Sequence, residues 1–144
     1  EAIAGGAHLH SGSAGQNGGI RYLLSTELNA AQDTGFFRAD SNTFATNPGI
    51  TDTLRQRGLY TNIHTDDIPS GELRGQLLGE GQHYFFAPLS GASEVPPVNS
   101  TGIGNFAIER RNASIMPSGS INDLETPLDT TIAGGLLPYT FIGE

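Results

Sequence analysis

The sequence predicts an all-β fold, an antiparallel Greek-key sandwich or barrel with at most one short helix. The first supporting observation is composition, because the 144 residues include 20 glycines and eight prolines. The second is that short apolar runs recur along the chain with polar turns between them. The third is strict alternation of side-chain character in the best-defined segments. This length is typical of one domain, so we expect residues 1–144 to form a single unit.

The most regular segment is LYTNIHT, residues 59–65, which is followed after a DDIPSG turn by ELRGQLL, residues 72–78. Successive side chains of a strand point to opposite faces of its sheet. Tyr60, Asn62 and His64 are therefore expected on one face, and the residues between them on the other. The two runs and their turn predict a β-hairpin.

Further strands are predicted on both sides of this hairpin. They are the runs AHLH, IRYLLS, HYFFAPL, IGNFAIER, NASIM and TIAGGLLPYTFIG. The one helical segment is ITDTLRQRG, in which Thr51 or Asp52 is a suitable N-cap and Gly58 a suitable stop. We therefore predict one short helix at about residues 51–58.

Charge and composition exclude several classes of function. The net charge of −8 repels phosphate backbones, so nucleic acid is not an expected partner. All seven basic residues are arginine and there is no cysteine, so the fold is held together without disulfides. No run approaches the roughly 18 apolar residues of a membrane-spanning helix.

Three segments resemble the CHRD domain, the repeated module of chordin that also occurs in bacterial secreted proteins. They are AHLHSGSAGQNGG (7–19), GLYTNIHTDDIPSGELRGQL (58–77) and LSGASEVPPVNSTGIGNF (89–106). The resemblance implies a secreted protein, located outside the cell or at the cell surface.

The order of these segments differs from the family order. Residues 1–78 resemble the C-terminal half of the family domain, and residues 84–144 resemble the N-terminal half. Three arrangements satisfy this order. The halves fold onto each other as a circular permutation, each half completes a neighbouring subunit, or the chain is one repeat of a tandem array. The second and third predict a head-to-tail fibre of copies of this chain.

Three histidines form a candidate metal site. His8 and His10 are two residues apart on a predicted strand, so both imidazoles point to the same face, and His64 ends another strand. Three converging imidazoles suit copper or zinc, with ligand distances near 2 Å. The alternative is that these histidines only hydrogen-bond loop backbone, in which case no cofactor is required.

Two further pairs of residues are singled out by the sequence. Arg74 and Glu94 lie in different family-like segments, and we predict an ion pair between them that sets the register of the two halves. Asn99 and Asn112 begin the sequons Asn-Ser-Thr and Asn-Ala-Ser, so we predict N-linked glycans there.

No catalytic residues are predicted. The chain has no cysteine nucleophile, no Gly-x-Ser-x-Gly motif and no phosphate-binding glycine loop. We therefore expect a non-catalytic extracellular structural or adhesive β-domain, a subunit or repeat of a head-to-tail fibre with strand complementation between neighbours. The alternatives are a copper or zinc protein that uses His8, His10 and His64, with metal-dependent redox activity, and a monomeric secreted ligand-binding module.

Overall fold

The computed structural model describes residues 6–81 and 83–127, which form one antiparallel sheet of eleven strands. The strands are β1 (Ala7–Ser11), β2 (Ile20–Leu24), β3 (Glu27–Leu28), β4 (Gly35–Phe37), β5 (Phe44–Ala45), β6 (Leu59–Ile63), β7 (Leu73–Gln76), β8 (Leu78–Glu80), β9 (Tyr84–Ser90), β10 (Ile103–Arg111) and β11 (Ser114–Asn122). The all-β prediction is confirmed, and so is the hairpin, because β6 pairs with β7.

The sheet curls into a half-barrel. Its strand order is β2-β1-β6-β7-β9-β10-β11-β4-β3, with β5 on β11 and β8 on β9. The two end strands, β2 and β3, are separated in the chain by Ser25 and Thr26 only. At about 3.8 Å per residue, Leu24 and Glu27 lie within about 11 Å of each other. The opposite ends of the sheet are therefore brought together.

Alternation along the strands builds the core inside this curve. Leu9, Leu59, Ile63, Leu73, Leu77, Phe85, Leu89, Phe106, Ile108, Ile115 and Ile121 are each at most 2% exposed. Phe37 of β4 meets Phe106 of β10 edge to face, with 5.3 Å between ring centroids. Residues from the first and second parts of the chain thus share one core.

The helix α1 spans Pro48–Arg55, so the predicted helix exists but begins three residues earlier than 51. Its N-cap is Asn47, whose side-chain oxygen accepts from the Ile50 amide at 3.0 Å. Pro48 occupies the first turn, where a missing N–H costs nothing. Asn-Pro is therefore the start signal, in place of Thr51 or Asp52.

Strand pairing joins the two parts of the chain that resemble the two family halves. β7 and β8 pair with β9, while β4 and β5 pair with β11. Within this chain, the segments before and after residue 82 therefore contribute to the same sheet. The predicted strand TIAGGLLPYTFIG lies outside the described residues.

The described residues contain no helix with the length and apolarity needed to cross a membrane.

Candidate metal centre

Strands β1 and β6 bring the three predicted histidines to one face of the sheet. His8 lies opposite Asn62, and His10 lies opposite Tyr60. His64 follows β6 directly, with its amide bonded to the Gly6 carbonyl at 2.8 Å. Because alternate residues share a face, His64 points to the same side as Asn62 and Tyr60. The residues between them enter the hydrophobic core.

The three imidazoles are close together and buried. Ring centroids are 5.5 Å apart for His8 and His10, 4.9 Å for His8 and His64, and 6.0 Å for His10 and His64. One ligand nitrogen from each ring lies within 4.8 Å of the others. Their exposed fractions are 1%, 8% and 6% in chain order. The structure thus brings together the residues that the sequence analysis selected.

Backbone carbonyls select the tautomers of two of these rings. His10 Nδ1 is 2.9 Å from the Gly18 oxygen, and His64 Nδ1 is 2.9 Å from the Pro69 oxygen. A carbonyl only accepts, so Nδ1 carries the proton and donates in both rings. The lone pair of each neutral ring is then on Nε2, the arrangement found in most metal-ligating histidines.

His10 shows the ligand-ready state most clearly. Its Nε2 is buried and has no hydrogen-bond partner among the described residues. Burial lowers the pKa of His10, the Gly18 hydrogen bond raises it, and the nearby charge of Arg74 lowers it further. The ring is therefore neutral at physiological pH, which is the form that binds a metal.

The donor set fits copper or zinc. In the described part of the chain the cluster consists of three imidazoles, with no carboxylate or thiolate. Nitrogen ligands at about 2.0–2.1 Å in a tetrahedral site stand about 3.4 Å apart. The three rings need only small shifts to reach such a site. Imidazole nitrogens suit zinc and copper, whereas magnesium and calcium prefer oxygen.

Tyr60 and Arg74 extend the site beyond the histidines. The Tyr60 ring stacks on His10, with centroids 4.9 Å apart and planes inclined by 13°. The Arg74 guanidinium carbon lies 3.4 Å from the centroid of the Tyr60 ring. Alternation had placed Tyr60 on the face of His64, so its position was predictable. The stacking of Tyr60 between His10 and Arg74 was not predictable, because these two residues lie on β1 and β7, which contact β6 from opposite sides.

Arg74 and Glu94 are both buried, with 2% and 5% exposed. Among residues 6–81 and 83–127, the salt bridges within 4.0 Å involve other residues, so Arg74 and Glu94 do not form a direct ion pair. The Arg74 guanidinium instead donates hydrogen bonds to loop 12–19. Burial raises the pKa of Glu94 to about 7, while the charge of Arg74 and the Val95 amide lower it. The two groups interact through space, and their predicted role in register stays a prediction.

A second buried carboxylate, which the sequence analysis did not select, connects the two parts of the chain. Glu72 is fully buried, and its Oε1 accepts from the Ser100 hydroxyl at 2.6 Å and the Glu125 amide at 2.9 Å. Ser100 and Glu125 lie 28 and 53 positions after Glu72. No local pattern relates residues so far apart in the chain, so the sequence carried no signal for these contacts.

Both predicted glycosylation positions lie at the surface. Asn99 is exposed in the segment between β9 and β10, and Asn112 is exposed at the turn of the β10–β11 hairpin. Asn112 adopts a φ of 49°, which suits asparagine in a tight turn. Modification of either residue stays a prediction.

The fold and the site define an antiparallel β-domain with a buried imidazole cluster. The family model of the CHRD domain matches residues 2–77, just over half of the 144 residues, and this match contains all three histidines. The chain therefore belongs to the CHRD domain family, as the resemblance predicted. No curated protein and no solved structure gives a significant match.

CHRD domains are generally extracellular modules. Residues 84–144, which resemble the opening half of the family domain, lie outside the matched range. The swapped order of the halves therefore stays a prediction.

Proposed function

We propose that this protein is an extracellular CHRD module that binds one copper or zinc ion through His8, His10 and His64. The observation that carries the proposal is the convergence of three ligand nitrogens within 4.8 Å in a buried position. The carbonyl contacts of His10 and His64 support it, because they leave Nε2 as the electron-pair donor in both rings. Purely structural histidines would not need one nitrogen of each ring to converge.

We propose binding rather than catalysis as the role of this site. The three histidines are at most 8% exposed, so a bound ion would have little contact with solvent. A catalytic metal needs substrate to reach its open coordination position, and burial of the three histidines restricts that access. If copper is the ion, oxidation of a small reductant such as ascorbate faster than by free copper would contradict this part of the proposal.

Metal titration of the purified, chelator-treated protein tests the site. We expect about one equivalent of Cu²⁺ or Zn²⁺ to bind at neutral pH, and binding to weaken as acid protonates the histidines. His10→Ala should abolish binding. His83→Ala is the matched control, because His83 is exposed and lies away from the cluster. Binding of less than about a tenth of an equivalent to the unmodified chain would refute the proposal.

A second role is favoured by a separate observation. Six large hydrophobic side chains are exposed in the part of the chain that the structure describes. Five of them, called here the outer face, lie on β4, β8, β9 and β10: Phe36, Leu78, Tyr84, Phe86 and Ile103. Strand register places Leu78 opposite Phe86, while Phe36 lies opposite Ser120, three strands from β9. Exposed apolar side chains that lie next to one another can mark interaction sites.

We propose that a second copy of this chain covers the outer face. Apolar side chains buried between successive copies would join them head to tail. This is the physical basis for the predicted structural role in a fibre.

Size-exclusion chromatography and negative-stain electron microscopy of the full chain test self-association. We expect assemblies larger than the 15.1 kDa chain, and their loss in Phe86→Glu. Ile20→Glu is the matched control, because Ile20 is 41% exposed against 43% for Phe86 but lies on β2, outside the outer face. A monodisperse monomer of the unmodified chain would instead favour the monomeric ligand-binding module.

A further inference from the structure

We propose that Arg74 is a positioning residue of the metal centre, which fixes the orientation of His10 through Tyr60 and through loop 12–19. The inference rests on the proposed metal site and names a residue that controls it. Arg74 acts on His10 along two separate routes.

The first route is a stack of planar groups. The guanidinium of Arg74 lies 3.4 Å from the centroid of the Tyr60 ring, and the Tyr60 ring is nearly parallel to that of His10. A histidine ring rotates about the bond that joins it to Cβ, and a flat neighbour restricts that rotation. Tyr60, itself 2% exposed, is held in place by the guanidinium.

The second route runs through loop 12–19. Arg74 donates from Nη1 to Asn17 Oδ1 at 2.9 Å, and from Nη2 to the carbonyls of Ser13 at 3.3 Å and Gln16 at 2.5 Å. Gly18 follows Asn17 directly, and its carbonyl accepts from His10 Nδ1 at 2.9 Å. By holding this loop, Arg74 places the acceptor that orients His10.

Tyr60 connects the two routes. Its hydroxyl accepts from the Gly18 amide at 3.1 Å, so one residue both stacks on His10 and holds the loop that binds His10. The arrangement needs a planar cation with several donors in a fixed geometry, which arginine provides and lysine does not. A buried cation also destabilises a fold relative to a well-packed apolar side chain, so its presence needs a reason beyond stability.

The test compares Arg74→Lys and Arg74→Met with the control Arg111→Met. Arg111 is 64% exposed in its side chain, and its ion pair among the described residues is with Glu109. Loss of outer groups that orient metal ligands weakens metal binding by about 10–100-fold. We expect this loss in both Arg74 variants, with no rescue by lysine, and no change in the control.

A second measurement separates positioning from general destabilisation. In the metal-free protein, ¹⁵N NMR of the imidazoles should show a single Nδ1–H tautomer for His10, and the Gly18 amide should exchange slowly with solvent. Both signatures should be lost in Arg74→Lys while the core signals of β6 and β7 persist. The Cu²⁺ electron paramagnetic resonance spectrum should change in the same variant.

Asn17→Ala provides a variant that keeps the guanidinium in place if Arg74 substitutions unfold the chain. It removes one loop contact of Arg74 and the bond from Asn17 to the Val95 carbonyl. We expect a smaller loss of affinity and faster Gly18 exchange. Unchanged affinity, tautomer and exchange in both Arg74→Lys and Asn17→Ala would overturn the inference. If the unmodified chain binds no metal, the proposed function fails, and the tautomer and exchange measurements still decide whether Arg74 positions His10.

Discussion

Glu94 is a buried carboxyl group whose charge state matters at neutral pH. It is 5% exposed, and its Oε1 has no hydrogen-bond partner among the residues described. Burial raises the pKa of Glu94 to about 7 from 4.5, and the charge of Arg74 offsets only part of this effect. Compared with the unfolded chain, the folded protein therefore favours the protonated form of Glu94.

This preference predicts the pH dependence of stability. The unfolded chain ionises Glu94 near pH 4.5, whereas the folded chain holds the proton to about pH 7. Between pH 4.5 and about 7, the folded state thus binds more protons than the unfolded state. The stability that protonation of Glu94 contributes is therefore complete below pH 4.5 and is lost as the pH rises to about 7. Glu94→Gln mimics the protonated form.

We expect Glu94→Gln to match the unmodified protein at about pH 3 and to exceed it in stability at pH 8, by on the order of 1–3 kcal/mol. Urea unfolding midpoints at several pH values measure this difference. Taking the difference between the two proteins removes the pH dependence of all other groups. An equal or lower stability of Glu94→Gln at pH 8 would contradict the prediction.

Gly71 lies where the chain passes close to Glu94. Its φ is +124°, and a Cβ atom there would stand 2.7 Å from Glu94 Oε1 and 2.7 Å from Asn62 Oδ1. Gly71→Ala should therefore cost about 2–4 kcal/mol, from backbone strain and overpacking together. Gly15→Ala isolates the strain, because Gly15 has φ +80° with open space around it, and should cost only about 1–2 kcal/mol. Equal losses in thermal unfolding would show that packing at Gly71 is unimportant.

Among the secondary-structure elements, the β6–β7 hairpin carries both His64 of the proposed metal site and the connection to the second part of the chain. Its turn ends at Glu72, whose buried carboxylate binds Ser100 and Glu125. Ser100 also accepts from the Gly102 amide at 2.9 Å, so its hydroxyl fixes the segment that enters β10. These contacts hold β9, β10 and the end of β11 against the hairpin.

Ser100→Ala removes the shortest of these contacts. Hydrogen bonds to charged groups contribute about 1.5–3 kcal/mol, and we expect a destabilisation of that size. Ser93→Ala is the control, because Ser93 is exposed and bonds only to Ser90, and it should change stability by less than about 0.5 kcal/mol. Chemical denaturation of both variants measures the difference. A loss in Ser100→Ala no larger than in the control would exclude this role for Glu72.

For the whole molecule, the proposed metal site links metal binding to folding. The three ligands come from β1 and from the end of β6, which are brought together only in the folded sheet. A metal that binds the folded state at about 100 times its Kd stabilises that state by about 2.7 kcal/mol. For a domain of this length, that corresponds to a rise of roughly 10 °C in Tm.

We expect Zn²⁺ or Cu²⁺ to raise the Tm of the unmodified protein by this amount and a chelator to reverse the rise. His64→Ala should unfold at the same temperature with and without metal. His83→Ala should keep the full rise, since it removes an exposed histidine outside the cluster. A rise that survives in His64→Ala would show that the ion binds elsewhere.

Local sequence pattern was enough to predict a large part of the site. Alternation with a period of two placed Tyr60, Asn62 and His64 on one face, and the spacing of His8 and His10 aligned their rings. The same pattern predicted the β6–β7 hairpin and most of the longer strands, but not β3, β4 and β5. The helix start was missed because Asn47 and Pro48 were not recognised as cap and first residue.

The sequence alone therefore determined most of the longer strands, the faces of their side chains and the identity of the three candidate ligands. Only the folded sheet decided that β1 lies beside β6, that loop 12–19 closes over His10, and that Arg74 and Glu94 are buried. The physical reason is how far apart in the chain the interacting residues lie. Alternation arises from the local geometry of each strand, whereas strand neighbours, burial and buried hydrogen bonds depend on contacts between residues far apart in the chain.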